Sequence, residues 1–261
     1  MSAYRDKNVF VAGGTSGINL AIAEAFALEG ARVAVLSRSE EKVSSAIVGL
    51  RALGAEAMGH AADVRNAAEV EAAIAATAQA WGPVDVLVSG AAGNFLAPGA
   101  ELSANGFKTV VDIDLLGTFN VLRQAWPHLR KPGAAILNIT AAQSWLPMPL
   151  QVHACAAKAG VDQVTRTLAM EWGSAGVRVN AIAPGPIEGT EGMKRLAATA
   201  DSHQAWTDCV PLKRFGTKQD IQRAALWLCS EAAGYITGVV LPVDGGVALG
   251  GGAPIAAAMQ A

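Results

Sequence analysis

Three stretches of the sequence hold residue types whose spacing suits chemistry. In VFVAGGTSGINLAIAEAF, Gly13, Gly14 and Gly17 fall between an apolar β-type run and a helical pattern. Glycines at such a junction let backbone N–H groups approach a pyrophosphate, and the positive end of the helix favours its charge. The spacing is GGxxG, with Asn19 where a further glycine is common. In VLSRSEEK, the second apolar run ends on Ser37 and Arg38, and the first acid is Glu40. A carboxylate at that strand end would bond the ribose hydroxyls of NAD, whereas a guanidinium pairs bidentately with a 2′-phosphate. The expected cofactor is therefore NADPH; a surface pair of Arg38 with Glu40 or Glu41 is the competing role. Asp63, in AADVRN, is positioned to hydrogen-bond an adenine and also suits the N-cap of the next helix. In QVHACAAKAG, Lys158 lies one helical turn after Ala154, so a cation stands on a face with no acid at that step.

The elements that must position these residues are legible as an alternation. Strand candidates are 8–13, 32–37, 56–63, 84–89, 134–139, 177–182 and 239–243. Between them, Ile18, Ile22, Ala25 and Phe26 recur at helical spacing, as do Val43, Ile47 and Leu50, and then Val70, Ile74 and Trp81. Apolar strands alternating with helices imply parallel βαβ units, so the expected fold is a single α/β doubly wound domain over 1–261 with a seven-stranded parallel sheet. Segment 185–216 breaks the alternation. Ligands bind beyond the carboxyl ends of such strands, so this insertion is expected to form a small substrate-covering lobe, with an ordinary surface excursion as the alternative.

Hydrophobic residues make up 52% of the 261 and charged residues only 16%, as a sheet covered on both faces requires. The net charge, 20 − 22 = −2, argues against a nucleic-acid partner. Cys155, Cys209 and Cys229 are odd in number and lack metal spacing, so free thiols in a reducing compartment and no metal are expected. No apolar run reaches membrane-spanning length, the start has no signal-peptide core, and the terminal MQA is no peroxisomal address. A cytoplasmic protein without a membrane partner is the expectation.

Taken together, these residues resemble the short-chain dehydrogenase/reductase family over nearly the whole chain. The likeness runs through the Gly-rich turn, AADV, SGAAG (89–93), AxxxK at Ala154–Lys158, RVNAIAPGPI (178–187) and DGG (244–246). Within the family, AAGNF (91–95), DIDLLGTFNV (112–121), QVHACAAKAGVD (151–162) and APGPIEGTEG (183–192) are most similar to peroxisomal-type 2,4-dienoyl-CoA reductases. The resemblance implies a Rossmann-type fold, a homo-oligomer (tetramer or dimer) and hydride transfer from a nicotinamide. It also implies cofactor contacts at Thr15, Ser16, Ile18, Val64, Ala91, Pro184, Gly185 and Ile187. The family's Asn-Ser-Tyr-Lys set falls on Asp114, Ala141, Ala154 and Lys158, so only the lysine survives. Bacterial enoyl-acyl-carrier-protein reductases carry a tyrosine where this chain has Val152. The dienoyl-CoA subgroup lacks the tyrosine too, with an aspartate where Asp114 falls.

That loss selects the chemistry. Ketone reduction needs an acid within hydrogen-bond reach of the new alkoxide, which Ala154 and Ala141 cannot supply. Reduction of a conjugated thioester instead needs donors for a dienolate oxygen and a proton delivered to carbon. The resemblance implies NADPH-dependent reduction of a 2,4-dienoyl-CoA to a 3-enoyl-CoA in unsaturated fatty-acid degradation. Lys158 would hold the nicotinamide ribose, with a surface pair to Asp162 as its alternative role. Asp114 would deliver the proton, directly or through water, or else would only satisfy neighbouring donors. Asn120 and Asn138 are candidate oxyanion donors, with backbone bonding as the competing role. For the acyl-CoA substrate, the resemblance implies contacts at Arg65, Arg195, Phe95 and the turn Ser103–Asn105, with Trp145, Leu146 and Met148 as candidate walls of the acyl site or as core. Two other readings remain: reduction of another acyl-CoA or carbonyl compound with a substitute acid such as His153, and an inactive NADP(H)-binding sensor or scaffold.

Overall fold

Each apolar run becomes a strand because both of its faces are covered. In the computed structural model, which describes residues 3–196 and 199–252, the strands are β1 (Asn8–Ala12), β2 (Arg32–Ser37), β3 (Ala57–Ala61), β4 (Val86–Ser89), β5 (Ala135–Ile139), β6 (Arg178–Pro184) and β7 (Val240–Val243). They form one parallel sheet in the order β3-β2-β1-β4-β5-β6-β7. The helices are α1 (Gly17–Leu28), α2 (Glu40–Ala52), α3 (Ala67–Trp81), α4 (Ala104–Val111), α5 (Gly117–Ala125), α6 (Val152–Trp172), α7 (Glu191–Leu196), α8 (Ala200–Cys209) and α9 (Lys218–Cys229). The expected seven-stranded α/β architecture is the observed one, with strand ends shifted by at most two residues.

Alternation along β1 sorts the core into two layers. Val9 and Val11 face a layer with Ile22 and Phe26 of α1, Leu50 of α2 and Ile221 of α9; Phe10 and Ala12 face a second layer with Ile74 of α3, Leu122 of α5 and Trp172 of α6. The chain runs from β1 outward to β3 and then returns to β4 on the other side of β1. This reversal leaves a crevice beyond the carboxyl ends of β1 and β4, where doubly wound sheets take their ligands.

Segment 185–216 leaves the sheet through a neck. Ile187 pairs with Gly216 as an isolated parallel bridge, the Gly216 N–H donates to Pro186 O, and the Glu188 N–H donates to Gly216 O. Beyond the neck lie α7 and α8. At its end Arg214 pairs with Asp220 in the first turn of α9, where Thr217 and Asp220 form a reciprocal capping box. That pairing holds the Asp220 carboxyl well below the usual carboxylate range. The three cysteines are free thiols, and burial pushes Cys229 up to about 12. Among the described residues no helix is long and apolar enough to cross a membrane. Residues 253–261, including the terminal MQA, lie outside the described residues.

One feature has no counterpart in the sequence pattern. Between α4 and α5 the chain makes a π-helical segment, Asp112–Leu116, so the run from 104 to 125 is continuous but carries an i→i+5 turn in its middle. Neighbours are fitted closely to it. A Cβ on Gly160 of α6 would lie 2.7 Å from a Leu115 methyl, and one on Gly117 would lie 2.6 Å from Val64 Cγ2. Val64 is β-branched and stiff, so it has little room to yield. Gly117→Ala is therefore expected to destabilise the fold by about 1–3 kcal/mol, lowering Tm by about 2–4 °C per kcal/mol for a chain of this size. Thermal unfolding followed by circular dichroism checks this.

Candidate active site

A cavity of about 910 Å³ opens over the carboxyl ends of the strands. Its floor is made by the residues that follow each strand: Gly13 after β1, Arg38 after β2, Gly90–Phe95 after β4, Thr140 after β5 and Gly185 after β6.

At one end the backbone forms a cradle. Gly13 has φ 78 and approaches the β4 loop so closely that a Cβ would lie 2.8 Å from Ala91 N. Gly17 has φ 58, in the left-handed region, and a Cβ there would meet nothing within 4 Å. Since Gly17 lines the cavity, its missing side chain leaves the mouth of α1 open. The N-cap of α1, Ser16, makes no side-chain bond to the first turn, whereas Ser39 caps α2 and Asn66 caps α3. The first-turn N–H groups of α1 are thus left for an anion, and no acid sits in that turn to repel it.

Farther along, Ser37, Arg38, Lys42, Asp63 and Val64 line the wall. Arg38 makes no ion pair within 4 Å among the described residues, so the alternative pairing with Glu40 or Glu41 is not observed. Lys42, in the first turn of α2, adds a second cation that sequence reasoning missed. Its only signal was its i+4 spacing from Arg38. The residues present fit a dinucleotide carrying an extra phosphate, since no carboxylate stands at the end of β2.

The chemical end is organised by a buried ion pair. Asp114, in the π-helical segment, is buried, and its Oδ2 lies 3.1 Å from Lys158 Nζ. The Gly93 N–H donates to its Oδ1 at 2.7 Å. Lys158 also donates to Ile139 O at 3.2 Å, which leaves one of its three N–H groups without an acceptor among the described residues. Both side chains line the cavity, as do Ala141 and Ala154. The alternative partner of Lys158, Asp162, instead lies 3.9 Å from Arg166. The loop that supplies Gly93 is pinned from the cradle side. Asn19 Nδ2 donates to Gly90 O at 2.7 Å, and a Cβ on Gly90 would fall 2.2 Å from Asn19 Oδ1. Asn19, standing where a glycine is common, therefore ties the α1 mouth to the loop that bonds Asp114.

A family model described as Enoyl-(Acyl carrier protein) reductase matches residues 12–248. A crystal structure of a short chain dehydrogenase from Bacillus anthracis superposes with a TM-score of 0.81 at 38% identity, covering 93% of this chain and 96% of that one. The chain belongs to the short-chain dehydrogenase/reductase family. Among curated relatives, the Rattus norvegicus peroxisomal 2,4-dienoyl-CoA reductase, (3E)-enoyl-CoA-producing, is 46% identical over 93% of this chain and 84% of the relative. A probable 2,4-dienoyl-CoA reductase of Bacillus subtilis, (2E)-enoyl-CoA-producing, is 39% identical over 92% of this chain and 96% of the relative.

Within this short-chain reductase, the cavity is lined by every expected nucleotide residue but one: Gly13, Thr15, Ser16, Gly17, Ile18, Ser37, Arg38, Asp63, Val64, Ala91, Lys158, Pro184, Gly185 and Ile187 line it, while Gly14 packs against Val11 and Val35. Phe95 also lines it. The other expected residues are placed elsewhere. Ser103 is the N-cap of α4, accepting from the Gly106 N–H at 3.0 Å, and Asn105 lies in the first turn; neither lines the cavity. Arg65 is folded back on Asp63, with Nε 3.0 Å from both carboxylate oxygens, and is not a lining residue. This pairing holds the Asp63 carboxyl below the usual range, so the acid expected at the adenine already has a partner. Asn120 donates to Val64 O and Asn138 to Thr165 Oγ1 in the core, and neither lines the cavity. Trp145, Leu146 and Met148 do not line the cavity either. His153 is fully buried, packs on Phe95 at 4.5 Å between ring centroids, and is absent from the lining, so it is not placed as a substitute acid. Arg195 falls in α7, and its side chain lies outside the described residues.

The ion pair makes a stability prediction. Lys158→Met strands the Asp114 carboxylate in a buried position with one backbone donor, and is expected to cost about 3–5 kcal/mol. Adding Asp114→Asn removes the stranded charge and should recover most of that loss. Urea unfolding of the two single variants and the double variant checks the coupling.

Proposed function

We propose that this enzyme reduces 2,4-dienoyl-CoA thioesters to 3-enoyl-CoA with NADPH, in unsaturated fatty-acid degradation. The observation that carries the reading is the buried Asp114–Lys158 pair lining a cavity in which Ala141 and Ala154 occupy the places of an alkoxide-protonating acid. The names of the relatives from Rattus norvegicus and Bacillus subtilis support the same substrate class.

When bound, the nicotinamide supplies hydride to C5 of the dienoyl chain. The electron pair of the C4–C5 double bond then moves to C3–C4, that of C2–C3 moves toward C1, and negative charge gathers on the thioester oxygen. The enzyme's own residues have three tasks. Lys158, with one N–H uncommitted, holds the nicotinamide ribose and keeps the local potential positive beside the growing charge. Asp114, held as a carboxylate by the Gly93 N–H and by Lys158, takes up a proton from solvent and passes it to C2, directly or through one water, returning to the carboxylate. Arg38 and Lys42 receive the 2′-phosphate. The sum is one hydride and one proton added across C5 and C2, leaving the C3–C4 double bond. Protonation at C4 instead would give the 2-enoyl product named for the Bacillus subtilis relative. The three free thiols fit a reducing, cytoplasmic setting, and the exposed Leu116, Phe119 and Val152 on neighbouring helices fit burial in a homo-oligomer.

Asp114→Asn, which removes the proton carrier but keeps an oxygen acceptor for Lys158, is expected to abolish NADPH oxidation with 2,4-hexadienoyl-CoA while leaving NADPH binding, read by cofactor fluorescence, nearly unchanged. Product NMR should find the double bond at C3–C4. Brisk reduction of 3-ketoacyl-CoA with indifference to the dienoyl thioester would sink the proposal. Arg38→Asp should reverse cofactor preference, lowering kcat/KM for NADPH by about 10²-fold or more relative to NADH, as loss of a charged phosphate contact together with a new repulsion demands.

A further inference from the structure

Protonation at carbon leaves one requirement unmet: donors for the thioester oxygen while charge resides on it. Asn120 and Asn138 are committed in the core, and Ala154 and Ala141 have nothing to donate. Three side-chain amides meet beside the cavity instead. Gln151 stands immediately before α6 as its N-cap, with Ala154 and Lys158 three and seven positions later. Asn94, in the loop after β4, donates from Nδ2 to Gln151 Oε1 at 2.6 Å. Gln143, in the short helical turn Ala142–Ser144 after β5, donates from Nε2 to the same oxygen at 3.4 Å. Asn94 and Gln143 both line the cavity.

The shared acceptor fixes the orientation of all three. A carbonyl oxygen has two lone pairs, so Gln151 Oε1 is fully used, and its NH2 end must point elsewhere. Among the described residues that NH2 group has no acceptor, and Asn94 and Gln143 each keep one N–H without an acceptor. Gln151 is only 4% exposed, so its rotamer is set by packing. Its backbone is set as well: Leu150 before it has φ 67, a strained conformation for a side-chain-bearing residue, and Leu150 O accepts from the Ala97 N–H. The result is a group of preoriented N–H donors with no carboxylate among them, one turn ahead of the position where an acid is missing.

We infer that Asn94 and Gln143, oriented by Gln151, bind the thioester carbonyl oxygen of the acyl-CoA and stabilise the dienolate. This rests on the dienoyl-CoA reading above. Neutral amides suit the role, since they stabilise an oxyanion without giving it a proton, and so leave the proton for carbon. Gln151 acts as a positioning residue and the other two as catalytic residues.

The test uses the purified full chain with NADPH and 2,4-hexadienoyl-CoA. Asn94→Ala and Gln143→Ala alter cavity-lining side chains outside the core, and Gln151→Leu removes the shared acceptor. Each is expected to lower kcat by about 10- to 10²-fold, with the KM for NADPH within about twofold of the parent, since the interaction lost is one made in the transition state. A structural defect would not move the second readout. With NADP+ and the dienoyl-CoA labelled with carbon-13 at C1, the infrared carbonyl stretch of the bound thioester should lie below its solution value in the parent. It should return toward that value in the variants. Parent turnover with unchanged kcat and carbonyl stretch in all three variants overturns the amide assignment alone. Absence of dienoyl-CoA turnover in the parent overturns the substrate reading, and this inference with it.

Discussion

A carboxylate and an ammonium held out of water at 3.1 Å constrain most of what surrounds them. Neither charge tolerates burial alone, because desolvation of an unpaired ion costs several kcal/mol, so each must be delivered accurately to the other. The carboxylate comes from the π-helical segment and the ammonium from the second turn of α6. The two helices can approach because Gly160 lets Leu115 lie against it. Backbone groups add one bond to each partner: the Gly93 N–H on the acid and Ile139 O on the base. The pair is thus a structural keystone, and it depends on that close fit.

The β4 loop links this keystone to the nucleotide end. Its first residue, Gly90, is bonded to Asn19 of α1, its fourth, Gly93, to Asp114, and its fifth, Asn94, to Gln151. One short loop therefore touches the helix whose amino end faces the expected pyrophosphate, the acid expected to protonate carbon, and the amide group beside the acyl site. Three hydrogen bonds within five residues thus join the cradle to the Asp114 end of the cavity.

The sheet was legible because strands covered on both faces read as uninterrupted apolar runs, and the helices because Ile22, Phe26, Val70 and Ile74 repeat at the helical period. The glycine turn and Arg38 were legible for a local reason: their chemistry depends on neighbours within a few residues. What sequence left hidden depends on contacts between distant segments or on backbone irregularity. The resemblance assigns Ser103 to the substrate, but a serine ahead of a helical run is also an N-cap, and the helix uses its hydroxyl. Arg65 looked available for a phosphate, but the turn brings its guanidinium back onto Asp63. The π-helical turn leaves no periodic trace over five residues. Gln151 could not be singled out, since its partners Asn94 and Gln143 lie 57 and 8 positions away and only the fold brings them to one oxygen.

The π-helical segment also has a consequence at the level of the gene. A π-turn amounts to one surplus residue wound into an otherwise regular α-helix, and turning it back needs only the loss of a single codon between 104 and 125. Such a deletion would preserve the helix, its length to within one step and its apolar composition, yet rotate one half against the other by roughly a hundred degrees. Ancestral or sister sequences with and without that codon would therefore look almost interchangeable in an alignment while presenting different side chains to the cavity.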